Sequence, residues 1–134
     1  MNFLLDSNII SEIWKPQPVA AVVEFLNQAE WFIPVPVLAE LQEGASGTPG
    51  EARRLELNQL IDTLISDFGD TLIDFDAESA RTWGRLKHSP EVKRQPQALW
   101  DSLVDAMAVR HGYQVATRNE KDFRHAKTFN PFAG

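Results

Sequence analysis

The chain has 134 residues, 43% apolar and 24% charged, a size and balance that suit one globular domain able to bury a core. It has no cysteine, which excludes a disulfide framework, a thiolate zinc site and a cysteine nucleophile, and which suits a reducing cytoplasm. The formal charge of −6, from 19 acidic and 13 basic residues, argues against a simple basic nucleic-acid-binding module. It leaves room for an acidic enzyme whose clustered carboxylates hold divalent cations against a phosphate.

The start, Met-Asn-Phe-Leu-Leu-Asp, lacks the basic and long apolar regions of a signal peptide. No apolar run approaches the roughly 20 residues needed to cross a bilayer. Asn2 to Leu5 reads as a short buried strand, and Ser7 to Trp14 as a short helix stopped by Lys15-Pro16. Val19, Val22, Val23 and Leu26 recur at helical spacing and predict an amphipathic helix. Trp31-Phe32-Ile33 predicts a strand, and Pro36 suits the first position of a helix that runs through Glu40 and fades at Gly44. The segment from Gly44 to Glu51 reads as a flexible break too short to divide domains.

Glu51 to Phe68 is the longest predicted helix, with Leu57, Leu60, Ile61, Leu64, Ile65 and Phe68 on one face. Thr71 to Phe75 predicts a strand, and Asp76 caps a helix over Ala77 to Leu86. Lys87 to Gln97, polar and proline-bearing, reads as a loop. A helix from about Trp100 to His111 ends at Gly112, followed by a strand over Tyr113 to Ala116, a polar turn and an edge strand in Lys-Thr-Phe-Asn-Pro-Phe. Strands alternating with helices predict a single α/β domain over residues 1–134, a three-layer α/β/α sandwich on a mostly parallel sheet. The functional crevice of such a sheet lies beyond the carboxyl ends of its strands, where Asp6 and Thr117-Arg118-Asn119 fall.

Four acids stand out by position: Asp6 at a strand end, Glu40 in an apolar helical turn, Asp101 at a helix start, and Asp122 in the last polar turn. Each has an ordinary reading: Asp6 and Asp101 as N-caps, Glu40 as a solvent-facing helix residue, and Asp122 as a turn aspartate. Converging in one crevice, they would form an oxygen-rich site for Mg²⁺ or Mn²⁺. Asp105, four residues beyond Asp101, shares its helix face. Either it orients Arg118 or a water, or it is a polar residue at the rim. His111 reads as helix-end packing, and His88 and His125 as loop residues.

The blocks LLDSNIISEI, PVLAELQEG and DSLVDAMAVRHGYQVATRNEKDF, in that order, resemble the PIN domain. Within it they resemble the VapC-like toxin ribonucleases of bacterial type II toxin–antitoxin pairs, the FitB-like subgroup among them. The resemblance implies that Asp6, Glu40 and Asp101 are the core metal-binding and catalytic acids. The family's fourth acidic position takes one of two nearby places, here Asn119 and Asp122, so the resemblance leaves the fourth ligand as Asp122, directly or through water, or a water at Asn119. Ser7 stands where the family usually has threonine and keeps the hydroxyl, in a catalytic supporting role. Pro36 stands where the family often has serine or threonine.

The activity implied is Mg²⁺-dependent hydrolysis of RNA phosphodiesters by an activated water, with Mn²⁺ as a substitute. Arg118, Asn119 and Lys121 are the candidate RNA contacts, and Arg124 lies nearby; ordinary surface charge is the competing reading for the cations. The implied partners are a cognate antitoxin and a second copy of the chain, with no membrane. Two other functions compete: a PIN-fold interaction module without catalysis, and an aspartate-based phosphotransfer protein. The latter needs a second aspartate at position 8 or an acidic pair with a late lysine, and position 8 is Asn.

Overall fold

The computed structural model describes residues 1–133. The apolar run after Met1 forms β1 (Asn2–Leu5), followed at once by α1 (Ser7–Ile13) and then α2 (Ala20–Gln28). Next come β2 (Glu30–Pro34), α3 (Val35–Ser46), α4 (Glu51–Phe68), and β3 (Leu72–Ile73), which follows a 3₁₀ turn over Gly69–Thr71. Then come α5 (Ala77–Lys87), α6 (Pro90–Arg94), α7 (Leu99–His111), β4 (Gln114–Ala116), a 3₁₀ turn over Glu120–Asp122, and β5 (Thr128–Phe129).

The five strands form one sheet in the order β3-β2-β1-β4-β5, and every pairing is parallel. The chain steps from β1 outward through β2 to β3, then returns to the other side of β1 as β4. Because parallel crossovers are right-handed, outward and returning connections cover opposite faces, which gives the α/β/α sandwich. β1 is the central strand, covered on both faces, and Leu4 and Leu5 are accordingly inaccessible. Val115 and Ala116 of β4 and Ile33 of β2 join them, with Ile9, Ile10, Val22, Val37, Val104 and Met107 packing from the helices.

Several local expectations need correction. α3 continues through Gly44 to Ser46, so the break shrinks to Gly47–Gly50, where Gly50 takes a φ of 91°. Gly44 bears no load in the helix because an added Cβ there would meet nothing. The Thr71 to Phe75 strand is reduced to Leu72–Ile73, its start being taken by the 3₁₀ turn. The loop expected from Lys87 to Gln97 contains α6, because Pro90 sits at its start and Ser89 caps the Val92 N–H at 3.3 Å. There proline begins a helix rather than breaking one.

The N-cap of α7 is Ala98, and Asp101 lies in the first turn, where a carboxylate favours the helix dipole. α7 ends as expected at Gly112, whose φ of 72° is left-handed and turns the chain directly into β4. No helix among the described residues is long and apolar enough to cross a membrane.

Candidate active site

The reversal of strand order lies between β1 and β4, so the carboxyl ends of these two adjacent strands open a crevice. Asp6 follows β1 and is the N-cap of α1; the amide of Asp6 is itself held by the Ala116 carbonyl at 3.0 Å. The cap and the site reading are therefore one geometry. Asp6 Oδ1 accepts the Ser7 N–H at 2.8 Å, and Oδ2 accepts the Thr117 hydroxyl at 2.7 Å.

Thr117, fully buried just beyond β4, links the two strand ends. Its oxygen also accepts the Asn119 N–H at 3.0 Å, while Asn8 Nδ2 reaches both Thr117 Oγ1 at 3.3 Å and Asp6 Oδ2 at 3.4 Å. Asn8 Oδ1 accepts the Arg118 N–H at 3.2 Å, bracing the opposite turn. The sequence places Thr117 at the strand end that opens the crevice but gives it no role; its bond to Asp6 comes from the packed strands.

Glu40 projects from α3, which follows the neighbouring strand β2. Asp101 comes from the first turn of α7, and Asp122 from the 3₁₀ turn after β4. These acids lie within electrostatic reach of one another. Burial first, then the charges of Asp6, Asp122 and Glu40, push the Asp101 carboxyl up to about 7. Burial raises Asp6 as well, opposed by the bonds from Thr117 and Ser7, with Asp122 adding repulsion. Glu40 is raised by burial, opposed by the polar Ser7 side chain nearby, while Asp6 and Glu43 push it further up.

Among the described residues, none of Asp6, Glu40, Asp101 or Asp122 has a lysine or arginine ion-pair partner. Arg124 is the one cation whose charge reaches Asp101, and an all-oxygen donor set of this kind is the chemistry that hard divalent ions take. Among the described residues no group of three acids or histidines stands close enough to enclose an ion by side chains alone. An ion there would keep part of its water shell, as Mg²⁺ ordinarily does.

The other predicted residues divide. Lys121 is exposed and lines a shallow groove with Arg94, Gln95 and Arg124. Arg124 donates to the Gln95 carbonyl at 2.9 Å and to the Lys121 carbonyl, tying the end of α6 to the turn that carries Asp122. Arg118 is exposed, with its guanidinium 4.2 Å over the Phe132 ring, and is not oriented by Asp105. Asn119 is exposed, and its backbone is fixed by Thr117.

Asp105 is buried at 1% exposure, away from any rim. It accepts the Ala126 N–H at 2.9 Å and the His125 N–H at 3.3 Å, and meets His125 Nδ1 at 3.2 Å. His125 is thus more than a loop residue: its Nε2 lies 3.1 Å from Glu91 of α6, so it clamps α6 to the tail. His111 stacks on Tyr113 with centroids 5.3 Å apart, as helix-end packing requires, and burial lowers its pKa.

The crevice thus draws acids from four separate segments. The chain belongs to the PIN-domain family, which it matches over residues 3–128. It is 28% identical over 127 residues to the VapC ribonuclease Y4jK of Sinorhizobium fredii, covering 92% of this chain and 91% of that one. It is also 28% identical to Toxin FitB of Neisseria gonorrhoeae, over 96% of this chain and 97% of that protein. In three dimensions it resembles the crystal structure of FitAcB from Neisseria gonorrhoeae at TM-score 0.80 and 25% identity, covering 97% of this chain and 98% of that one. VapBC2 of Rickettsia felis, solved on a DNA fragment from its promoter, shares the fold at TM-score 0.76 and 22% identity, over 97% and 98% of the two chains.

Proposed function

We propose that the protein is a divalent-metal-dependent endoribonuclease of the VapC-like toxin type, acting in the cytoplasm under the control of an antitoxin. The carrying observation is the carboxylate set Asp6, Glu40, Asp101 and Asp122, supplied by separate segments, mutually repelling and unpaired with any basic side chain. The near full-length similarity to a VapC ribonuclease supports RNA as the substrate.

Asp6, Glu40 and Asp101 would hold Mg²⁺ or Mn²⁺, with Asp122 bound directly or through water. Such an ion, when bound, acidifies water and stabilises charge on a phosphoryl oxygen. The chain's own groups supply the order. Thr117 and the Ser7 amide hold one oxygen of Asp6 each, so the carboxylate cannot rotate out of the crevice. The Ser7 hydroxyl, near Glu40, would orient a water or a phosphate oxygen beside it. Lys121 and Arg124 offer cations to the RNA backbone, with Asn119 and Arg118 contributing from the exposed turn after β4.

The similarity to FitB and to the FitAcB complex supports an antitoxin partner. The unpartnered acids would attract a basic side chain from it. Apolar side chains left exposed on α4 and at the start of α2, namely Leu55, Ile65, Phe68, Val19 and Val23, support a homodimer.

The test is cleavage of single-stranded RNA with Mg²⁺ or Mn²⁺, with EDTA, and by Asp6→Asn. The expected result is cleavage abolished by EDTA and reduced on the order of 100-fold or more in the variant. Metal-independent cleavage, or an undiminished Asp6→Asn, refutes the proposal.

A further inference from the structure

Two depressions flank α6, and the acid cluster explains neither. On one side lies a slot of about 320 Å³ between α5, α6 and α7, walled by Trp83, Val92, Pro96 and Leu99. Its polar groups are Lys87, Gln97 and Ser102, and Leu99 is left 57% exposed although it is apolar. The Trp83 indole N–H donates to Ser102 Oγ at 2.9 Å, and Lys87 Nζ stands 5.1 Å from the ring centre. On the other side lies the groove holding Arg94, Lys121 and Arg124, with Glu91 on its wall.

Both depressions are walled by segments that carry the acids. Ser102 and Leu99 flank Asp101 on the first turn of α7. Gln97 Nε2 donates to the Asp122 carbonyl at 3.0 Å, so the slot wall is bonded to the segment carrying the fourth acid.

We infer that the Trp83 slot receives one nucleobase of a single-stranded RNA beside the scissile phosphate, while neighbouring phosphates lie along Arg94, Lys121 and Arg124. The inference rests on the ribonuclease reading and specifies its substrate site. A fixed indole held by its own N–H is a stacking platform for a base. With Gln97 Nε2 and the Ser102 hydroxyl proton already engaged, the Gln97 and Ser102 oxygens remain as acceptors for a base-edge N–H. An apolar side chain of a protein partner would fill the slot but leave three cations across α6 facing Glu91, the one carboxylate lining their groove. A nucleotide strand satisfies both. One fixed base position also makes cleavage depend on register, because the slot and the acids are joined through Gln97 and α7.

The experiment uses Asp6→Asn protein, to prevent turnover, and single-stranded RNAs carrying one abasic nucleotide at successive positions, with affinity read by fluorescence anisotropy. One position should weaken binding roughly tenfold, and that penalty should vanish when Trp83→Ala is added. Leu99→Ser, at an exposed wall, is the companion variant if Trp83→Ala melts early; it should reduce the same penalty, and Trp83→Phe should retain it. A penalty at no position, or one equal with and without Trp83, overturns the inference. So does a Trp83→Ala protein that binds RNA normally but loses affinity for a protein partner. Position-specific, Trp83-dependent binding in a chain whose wild type cleaves no RNA upholds the slot and refutes the ribonuclease reading.

Discussion

The most exacting contact in the crevice is the one between Thr117 and Asp6. A buried carboxylate is tolerated only when its oxygens are bonded, and the Thr117 hydroxyl supplies one bond at 2.7 Å from a fully inaccessible position. Thr117→Val keeps the shape and removes the bond, leaving Asp6 Oδ2 with only the distant Asn8 amide. Hydrogen bonds to charged groups contribute about 2 kcal/mol, so the variant should be less stable by that amount. The Asp6 pKa should also rise further, because the contact that lowers it is gone. Cleavage should fall about tenfold, with its pH profile displaced to higher pH, measured under single-turnover conditions. An unchanged profile would show that Thr117 does not tune Asp6.

At the scale of elements, α6 is the piece whose placement depends most on others. Five residues long, it cannot hold itself as a helix. Its Glu91 is bonded to His125, whose other ring nitrogen meets Asp105, and Arg124 ties its C-cap carbonyl to the turn over Glu120–Asp122. Asp105 is the anchor of this clamp, accepting the N–H groups of His125 and Ala126 within α7's buried face. Asp105→Ala leaves both amides without that acceptor and should cost on the order of 2–4 kcal/mol in denaturant unfolding. Amide exchange should quicken over residues 89–97 and 122–126 ahead of the sheet. Uniform loss of protection instead would mean that α6 is held by packing alone.

For the whole molecule, the acids set an unusual dependence on pH. Asp101 titrates near 7 when folded and near 3.8 when unfolded. Between those values the folded state holds a proton that the unfolded state has lost, so stability falls as pH rises through the window. Asp6 and Glu40, also raised, act in the same direction. Asp76, held down to about 2 chiefly by the Ser79 amide, works oppositely; its contribution is present above the unfolded pKa and lost in strong acid. In EDTA the melting temperature should therefore decline from about pH 5 to pH 7.5. Mg²⁺ or Mn²⁺ should restore it at about pH 7.5 and do little at about pH 5, where protons already occupy the acids. A melting temperature indifferent to divalent ions at the higher pH would refute an acid cluster built for a cation.

The alternation of apolar runs and helical periods was legible in the sequence because period and turn chemistry are local. So were the ends of α5 and α7, set by Asp76 and Gly112. α6 was not, since a proline that starts a helix and one that ends a loop look alike until Ser89 is seen to cap it. The candidate acids were legible through their blocks, and Asp6 as the residue where an apolar strand ends. Their meeting was decided by topology: the strand order reverses between β1 and β4, which alone sets Asp6 against Thr117 across 111 residues of separation. Likewise, nothing in the order of residues separates Asp105, buried as a clamp, from Asp101, open to the crevice one helical turn earlier. Burial and partners are properties of the packed molecule, and they assign different chemistry to the same side chain.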